Sequence, residues 1–541
     1  MTGLTMALGA GDRRVHAAHR HRALPLDAAA SAGGGAARSV VGGKGHALAS
    51  MAGMGLPVPP AFCVTAEWCA DCAHDPAAVV DRVWQDVLGG LQWLEARTER
   101  TFGRGPRPLL LAVRSSGVTS MPGMLETVLD VGIDDAVADA LANLHSAEFA
   151  RDTRERFRRG YRRTVSSVPD APLEQLRGAV EAVVSSWSSN RVTAYRAHHG
   201  LRQPDGVAIL LQAMVFGNLD ARSGTGVLFT RDPSSGASNP FGEWLAAAQG
   251  DDVVSGTSDC EPLGALRDQL PEVYDELIEA GLRLERLGTD VQDVEFTVEA
   301  GRLWLLQSRV AQRSPRAALR LALAFLEEGS IDEAEALRRV TPAQLESVMS
   351  ARAARQSAGP PLATGIPACP GVVSGLACTT SDEAIDAADE GRDVILVRPT
   401  TSPDDVAGIM AARGVVTEVG GASSHAAIVA RELGRPAVVG CGAGLSASLA
   451  GRMITVDGDT GEVRQGSAEP PAVVDTPELR RFADMVRAAS PVRAHSDGDH
   501  PRLDDASEAA VRAALEAGYT DVVSPTPLLT MHVAARLARR P

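Results

Sequence analysis

The sequence predicts an α/β and α+β multidomain protein, and three observations carry that prediction. The chain has 541 residues, several times the roughly 100–200 residues of one domain. Short apolar strands alternate with helical stretches over residues 39–350, the pattern of packed strand and helix layers. A stretch rich in Pro, Gly and small residues, "QSAGPPLATGIPACPG", then separates that region from a second strand-and-helix unit.

Composition narrows the function classes. Hydrophobic residues make up 45% and aromatics only 4%, so Ala, Val and Leu must fill the core. The formal net charge of −15 argues against a nucleic-acid binder while leaving room for local basic anion sites. No apolar run approaches the ~20 residues that span a bilayer, and no secretory-signal pattern is present. Neither membrane nor nucleic acid is therefore an expected partner. The seven cysteines are scattered and odd in number, which fits a reducing cytoplasm better than a disulfide framework. Cys63, Cys69, Cys72 and His74 fall close together. A zinc site there would want a second ligand pair nearby, and thiols packed in a helix fit better.

In chain order, residues 1–38 are rich in Arg, His, Ala and Gly and read as a disordered N-terminus. Residues 39–350 form the first domain. "PRPLLLAVRSS" and "VAILLQAMVFG" read as buried strands. Pro76 to Leu94 reads as a helix, with Val80, Val83, Val87, Leu91 and Leu94 on one stripe. Residues 134–200 are mostly helical and charged. The helix "PRAALRLALAFLEEG" stops at Gly329. Ser330 with Glu333 then forms one expected capping box, and Thr341 with Gln344 another, with Pro342 at the first helical position. Residues 351–370 read as a linker. Residues 371–470 form a second domain with strands "DVILVRP", "GVVTEV", "PAVVG" and "MITVDG". Residues 471–541 read as helix, strand, helix and strand.

The stretch "EVGGASSHAAIVARELGRPAVVG" presents a histidine. After a strand and the Gly420-Gly421 turn, Ser423 or Ser424 caps a helix that Gly434 ends. His425 therefore lies in the first helical turn. The helix dipole disfavours an imidazolium there, so the ring stays a neutral nucleophile, and free backbone N–H groups can hold an anion attached to it. A capping or core histidine is the plain alternative, which the Gly-Gly-Ala-Ser-Ser approach weighs against.

A second feature is "VQDVEFTVEAGRLWLLQSR", a hairpin turning near Ala300-Gly301. Asp293 and Glu295 are two apart and share a face, as do Gln307 and Arg309. Folded about Gly301, the hairpin sets Glu295 opposite Gln307 and Asp293 opposite Arg309. Carboxylates of this kind hold Mg²⁺, and the arginine neutralises phosphate oxygens; a solvated strand face with ordinary ion pairs is the alternative. Third, Gly42, Gly43 and Gly45 surround Lys44 just before a helix, where backbone can approach phosphate, although the spacing is not that of a P-loop. Fourth, Arg114 leaves a buried strand at its end, where ligand sites of α/β sheets lie. The Gly-rich segments "SGVTSMPGMLETVLDVG", "SGTGVLFTRDPSSG" with Arg231, and "NPFGEWLAAAQGDDVVSG" with Glu243 and Gln249 add further phosphate-friendly backbone.

Taken together, "GGKGHALASMAGMGLPVPPAF", "VRSSGVTSMPGMLETVLDVG", "LQAMVFGNLDARSGTGVLFTRDPSSG", "DVQDVEFTVEAGRLWLLQSR" and "GGASSHAAIVARELGRPAVVGCG" resemble the pyruvate phosphate dikinase family and, more loosely, phosphoenolpyruvate synthases. The resemblance runs in order over residues ~40–470. It implies an ATP-grasp nucleotide-binding domain at 39–350 followed by a swivelling β/α phosphohistidine domain at 371–470. By the same resemblance, His425 takes a phosphoryl group from the β-position of ATP. Lys44, Arg114, Glu243, Asp293, Glu295, Gln307 and Arg309 fall on ATP-contacting positions, with Asp293 and Glu295 as Mg²⁺ ligands. Ser423 falls where many dikinases have a threonine. ATP and Mg²⁺ are the implied cofactors, inorganic phosphate a further substrate, and a homo-oligomer is compatible with the family.

Two departures stand out. The helical segment 134–200 is shorter than the family's insert. Residues 471–541 resemble only the start of the family's pyruvate- or phosphoenolpyruvate-binding barrel, which needs ~250 residues. Arg493 falls near a substrate arginine of that barrel, whereas Ser524-Pro525-Thr526-Pro527 stands where the family has Arg-Thr-Glu-His. The expectation is an incomplete barrel remnant, with pyruvate or phosphoenolpyruvate served by a missing or separate barrel. The competing expectation is an ATP-binding regulatory module without turnover.

Overall fold

The computed structural model describes residues 23–27, 37–66, 75–119, 125–165, 167–189, 192–193, 207–254, 260–350, 360–467 and 476–538. These divide into two compact units. The first takes Met1–Thr225, Ala246–Gln249 and Val294–Arg309; the second takes Gly226–Leu245, Gly250–Asp293 and Val310–Pro541.

The first unit is built on a five-stranded sheet in the order Ala23–Pro25, Ala61–Val64, Val207–Ala213, Leu111–Gly117, Thr127–Val131. Every neighbouring pair is antiparallel. Val207–Ala213 is the central strand and every residue of it is buried, which explains its unbroken apolar run. The helix Pro76–Thr98 opens on Asp75, whose side chain accepts from Ala78 N, with Pro76 in its first turn. It buries Val80, Val83, Val87, Leu91 and Leu94 as the periodicity predicts. The helices Asp135–Leu144, Ala147–Thr164 and Pro172–Ser186 account for the charged helical stretch.

Two expectations for this unit need correction. Residues 23–25, read as part of a disordered N-terminus, form an edge strand registered on Phe62–Val64; the apolar "ALPL" run finds a sheet to join. Arg114 does not leave its strand at the end. It sits in the middle of Leu111–Gly117, paired with Leu210, so it emerges from the face of an antiparallel sheet and the end-of-strand rule for parallel sheets does not apply.

A further five-stranded sheet has the order Glu261–Pro262, Phe241–Ala246, Gly224–Phe229, Gln292–Glu299, Arg302–Val310. The last two strands turn at Ala300 and Gly301, both with positive φ, the backbone a two-residue hairpin requires.

In the second unit, eight strands form one sheet in the order Pro361–Thr364, Glu462–Gln465, Met453–Asp457, Val372–Cys378, Val394–Arg398, Gly414–Thr417, Ala437–Val439, Ile366–Cys369. The strands from Val372 to Val439 run parallel to one another, and the others antiparallel to their neighbours. The two edge strands are separated in sequence by Gly365 alone. Laid flat, eight strands would spread their edges about 34 Å apart at ~4.8 Å per strand, far beyond what one residue can bridge. The sheet is therefore rolled, and one bent segment closes it. Gly365 marks the bend: a Cβ there would strike the carbonyl oxygen of Val439. Residues 361–369, expected as linker, are thus strands of this sheet joined at Gly365; the Pro, Gly and small residues that suggested a tether also suit a tight closing strand. Residues 351–359, which begin the linker, lie outside the described residues.

Helix Pro315–Glu327 ends with Gly329 at positive φ, and Ser330 N reaches back to Phe325 O at 3.0 Å. Ser330 therefore closes the preceding helix. The next helix, Glu333–Arg339, is capped by Asp332, whose carboxylate accepts from Glu335 N at 2.7 Å, in place of the expected Ser330–Glu333 box. The second box forms as expected: Thr341 Oγ1 accepts from Gln344 N and Gln344 Oε1 from Thr341 N. After residue 476, Arg493–His495 and Asp521–Val523 pair in parallel across helix Glu508–Glu516. Among the described residues, no helix is long and apolar enough to cross a membrane. Cys69, Cys72 and His74 lie outside the described residues, and Cys63 is buried in its strand with its thiol pushed up by burial.

Candidate functional site

The first unit gathers five of the residues singled out from sequence. Helix Arg38–Gly53 breaks at Gly42, which has φ 71. Only glycine fits there, because a Cβ would strike the Ser116 carbonyl. Ser116 Oγ donates to Val41 O at 2.8 Å and accepts from Gly45 N at 3.1 Å. The bend is thus stitched to the Arg114 strand, and Lys44 is carried beside Arg114, Glu295 and Arg309.

Arg114 organises the cluster. Its Nη1 donates to Gln212 Oε1 and Leu306 O, both at 3.3 Å, and its Nη2 donates to Gln307 Oε1 at 3.0 Å. Glu295 Oε2 lies 3.6 Å from the same Nη2. Glu295 and Gln307 thus both approach one guanidinium that comes from another strand. Arg114 Nε and Gln212 Nε2 are buried donors with no acceptor. Burial is the main force lowering Lys44 to about 7; Arg114 and Arg309 push the same way and Glu295 opposes them. A lysine held near neutrality between two guanidiniums regains its charge when a polyanion arrives. The cluster is chemically suited to a nucleotide's phosphates.

Asp293 and Glu243 are counted in the second unit. Asp293 is buried on the same strand as Glu295, two residues before it. Its field supports the buried Arg431 guanidinium, as does that of Glu243. Carboxylates such as Glu295 are hard oxygen donors of the kind Mg²⁺ prefers.

Glu243 has a specific task in the second unit. Its Oε1 accepts from Ala422 N at 2.6 Å and its Oε2 from Ser423 N at 3.1 Å, and Ser423 Oγ donates to the same carboxylate. A Cβ on Gly421 would strike that carboxylate, so the glycine permits the close approach. The sequence placed Glu243 among nucleotide contacts; here it holds the loop that leads into His425.

His425 is the first residue of helix His425–Leu433, after Ser424, and Gly434 closes the helix in the left-handed conformation. Its Nδ1 meets Thr401 Oγ1 at 3.2 Å. Its Nε2 is buried without a partner, as is Ser424 Oγ. Burial lowers the ring below its usual 6.5, against the opposing field of Asp405, so the ring is neutral at pH 7.

The residues that orient the ring escaped the sequence reading. Asp405 accepts from Ser402 N at 2.9 Å and Ser381 Oγ at 2.8 Å and pairs with Arg398 Nε at 3.1 Å. This folds "TTSPDD" into the turn that delivers Thr401 to the imidazole. The cue was present: Ser, Pro and Asp follow directly on a buried strand, the composition of a helix-starting turn. Arg431, at the far end of the helix, donates to Ala368 O at 3.2 Å and lies 5.6 Å from the Phe229 ring centre.

Two family models match. "Pyruvate phosphate dikinase, AMP/ATP-binding domain" covers residues 84–269, and "PEP-utilising enzyme, mobile domain" covers residues 391–461, including His425. Fold and site thus define an α/β multidomain chain joining an ATP-grasp-type domain to a PEP-utiliser domain. The chain belongs to the pyruvate phosphate dikinase and PEP-utilising enzyme family. It is 35% identical to pyruvate, phosphate dikinase 1 of Oryza sativa subsp. japonica, over 87% of this chain and 56% of that one. It is 36% identical to pyruvate, phosphate dikinase 2 of Zea mays, over 86% and 60%. It is 35% identical to pyruvate, phosphate dikinase of Rhizobium meliloti (strain 1021), over 83% and 59%. The alignments therefore span less than two thirds of each relative's length.

Proposed function

We propose that this chain is an ATP-dependent phosphotransferase that phosphorylates its own His425 on Nε2, for onward transfer to pyruvate or another acceptor. The observation that carries the reading is the state of that ring. Nδ1 is engaged by Thr401, Nε2 is left without a partner, and the ring is neutral. A neutral nitrogen with its lone pair uncommitted is a nucleophile.

In this reading Lys44, Arg114 and Arg309 neutralise the phosphates of ATP, since phosphoryl transfer depends mostly on positioning and charge. Asp293 and Glu295 would hold Mg²⁺, which when bound supplies further charge neutralisation at the phosphate oxygens. Nε2 attacks the β-phosphorus; an N–P bond forms as the bond from that phosphorus to the oxygen bridging it to the α-phosphorus breaks, and AMP leaves. Inorganic phosphate or water takes the γ-phosphoryl group. Thr401 holds Nδ1 so that Nε2 faces the incoming phosphorus, and Glu243 keeps the preceding loop in shape. The phosphohistidine domain swivels on its tethers to carry the group to its acceptor. The names of the relatives favour pyruvate as that acceptor.

Incubation with ATP labelled at the β-phosphorus should give acid-labile, protein-bound label that is absent in His425→Asn. Label that persists in that variant, or none in the parent across varied metal and phosphate conditions, overturns the proposal.

A further inference from the structure

Outside both clusters, three metal-binding side chains converge on the strand pair after residue 476. One ligand atom from each of His495, His500 and Asp521 lies within 4.8 Å of the other two. The backbone explains the meeting. The parallel register sets His495 beside Val523, so Asp521, two residues earlier, shares its face on the neighbouring strand. His495 Nε2 and Asp521 Oδ1 are 3.1 Å apart. Thr520 Oγ1 donates to Asp521 Oδ2 at 3.1 Å, fixing the carboxylate as outer partners of metal ligands do.

His500 arrives from a loop that is itself fastened. Val523 N donates to Pro501 O and Leu503 N to Val523 O, both at 2.9 Å, and Arg502 bridges to Val523 in parallel. The His495 and His500 rings stack with centres 4.9 Å apart and planes 23° from parallel. Three ligands from three pinned backbone positions make a prepared half-shell.

We propose that His495, His500 and Asp521 form a binding site for a borderline divalent cation of the zinc class, with water completing the tetrahedron. Two imidazoles and one carboxylate suit zinc, cobalt or nickel, whereas Mg²⁺ and Ca²⁺ take oxygen-rich shells. Bond lengths of ~2.0–2.2 Å place tetrahedral ligands about 3.3–3.5 Å apart. The His495–Asp521 pair is near that spacing, and the exposed His500 ring brings a nitrogen within 4.8 Å of both. Asp497, Asp499, Asp504 and Asp505 in the same segment add a local negative field that favours a cation.

The test is zinc titration of the full chain against a chromophoric chelator, with millimolar Mg²⁺ present. The expected result is one zinc equivalent at micromolar affinity or tighter that weakens at least tenfold in His500→Gln and in Asp521→Asn. A His145→Gln control should keep it. Co²⁺ should give a visible d–d band in the parent that is lost in His500→Gln. Because His500 is exposed on a loop, that variant tests the site without burdening the fold. The proposal is overturned if no zinc binds in competition with Mg²⁺, or if the equivalent survives His500→Gln unchanged.

Discussion

The Lys44–Arg114 cluster and the His425 helix solve opposite problems. The first crowds three cationic side chains together and leaves buried donors without acceptors, an arrangement that a bound polyanion completes. The second strips charge from an imidazole by burial and leaves its nucleophilic nitrogen uncommitted. On the proposed reading, one site stores an unmet demand for negative charge and the other an unspent lone pair. The difference would then keep affinity and reactivity on separate scaffolds, so that each is separately breakable.

The largest effect should come from His425→Asn, which removes the lone pair. Labelling from β-labelled ATP should fall by roughly 1000-fold or more, while ATP affinity measured by calorimetry stays within about twofold. A parallel loss of affinity would refute the separation. Arg114→Ala should do the reverse. Losing charge-assisted hydrogen bonds worth about 1.5–3 kcal/mol should weaken ATP binding by about 10- to 150-fold and leave the phosphohistidine domain's thermal transition in place.

Glu243→Ala sharpens the comparison from within the histidine side. It leaves the Ala422 and Ser423 amides without their acceptor, at a cost of about 1–3 kcal/mol of stability. Labelling should slow by roughly tenfold with unchanged ATP affinity, and Glu243→Gln should recover part of both. If ATP affinity falls instead, Glu243 serves the nucleotide.

The smallest effects are protonic. Lys44 is half neutral near pH 7, so ATP binding should draw up roughly half a proton at that pH. Calorimetry in buffers of different ionisation enthalpy reads this, and Lys44→Met should abolish it. For His425 the neutral ring is the nucleophile, and its folded-state value lies below 6.5. As pH falls, labelling should therefore drop with a midpoint below 6.5. A drop centred at or above 6.5 would contradict the burial described.

The two regions also differ in how much of them could be read from sequence. His425, its place in a first helical turn and its Gly434 stop were legible as local signals, but the expected serine cap does not form: Ser424 holds the N-cap position with no side-chain cap bond, and Ser423 donates to Glu243 instead. Lys44, Arg114, Glu295, Gln307 and Arg309 were legible as types within motifs. Their meeting point on Arg114 was not, because Arg114 and Gln212 share one sheet while Leu306 comes from another, all across long sequence separations. Thr401 and Asp405 were missed for a similar reason: their role depends on Arg398 and Ser381 closing a turn. Asp332 replaced Ser330 as a cap because Ser330 was needed to end the helix before it, a competition that local patterns do not resolve. Residues 361–369 looked like a tether because a short closing strand and a small-residue linker share a composition.

That closing strand has a consequence for how such a module survives inside a crowded cell. Bent at Gly365, the sheet joins its two edge strands in one short segment, which leaves less raw selvage of unpaired amides and carbonyls for a neighbouring copy to zip onto. If the domain swivels as proposed, a part that comes loose and re-docks would carry less exposed sheet edge for fibrous self-association.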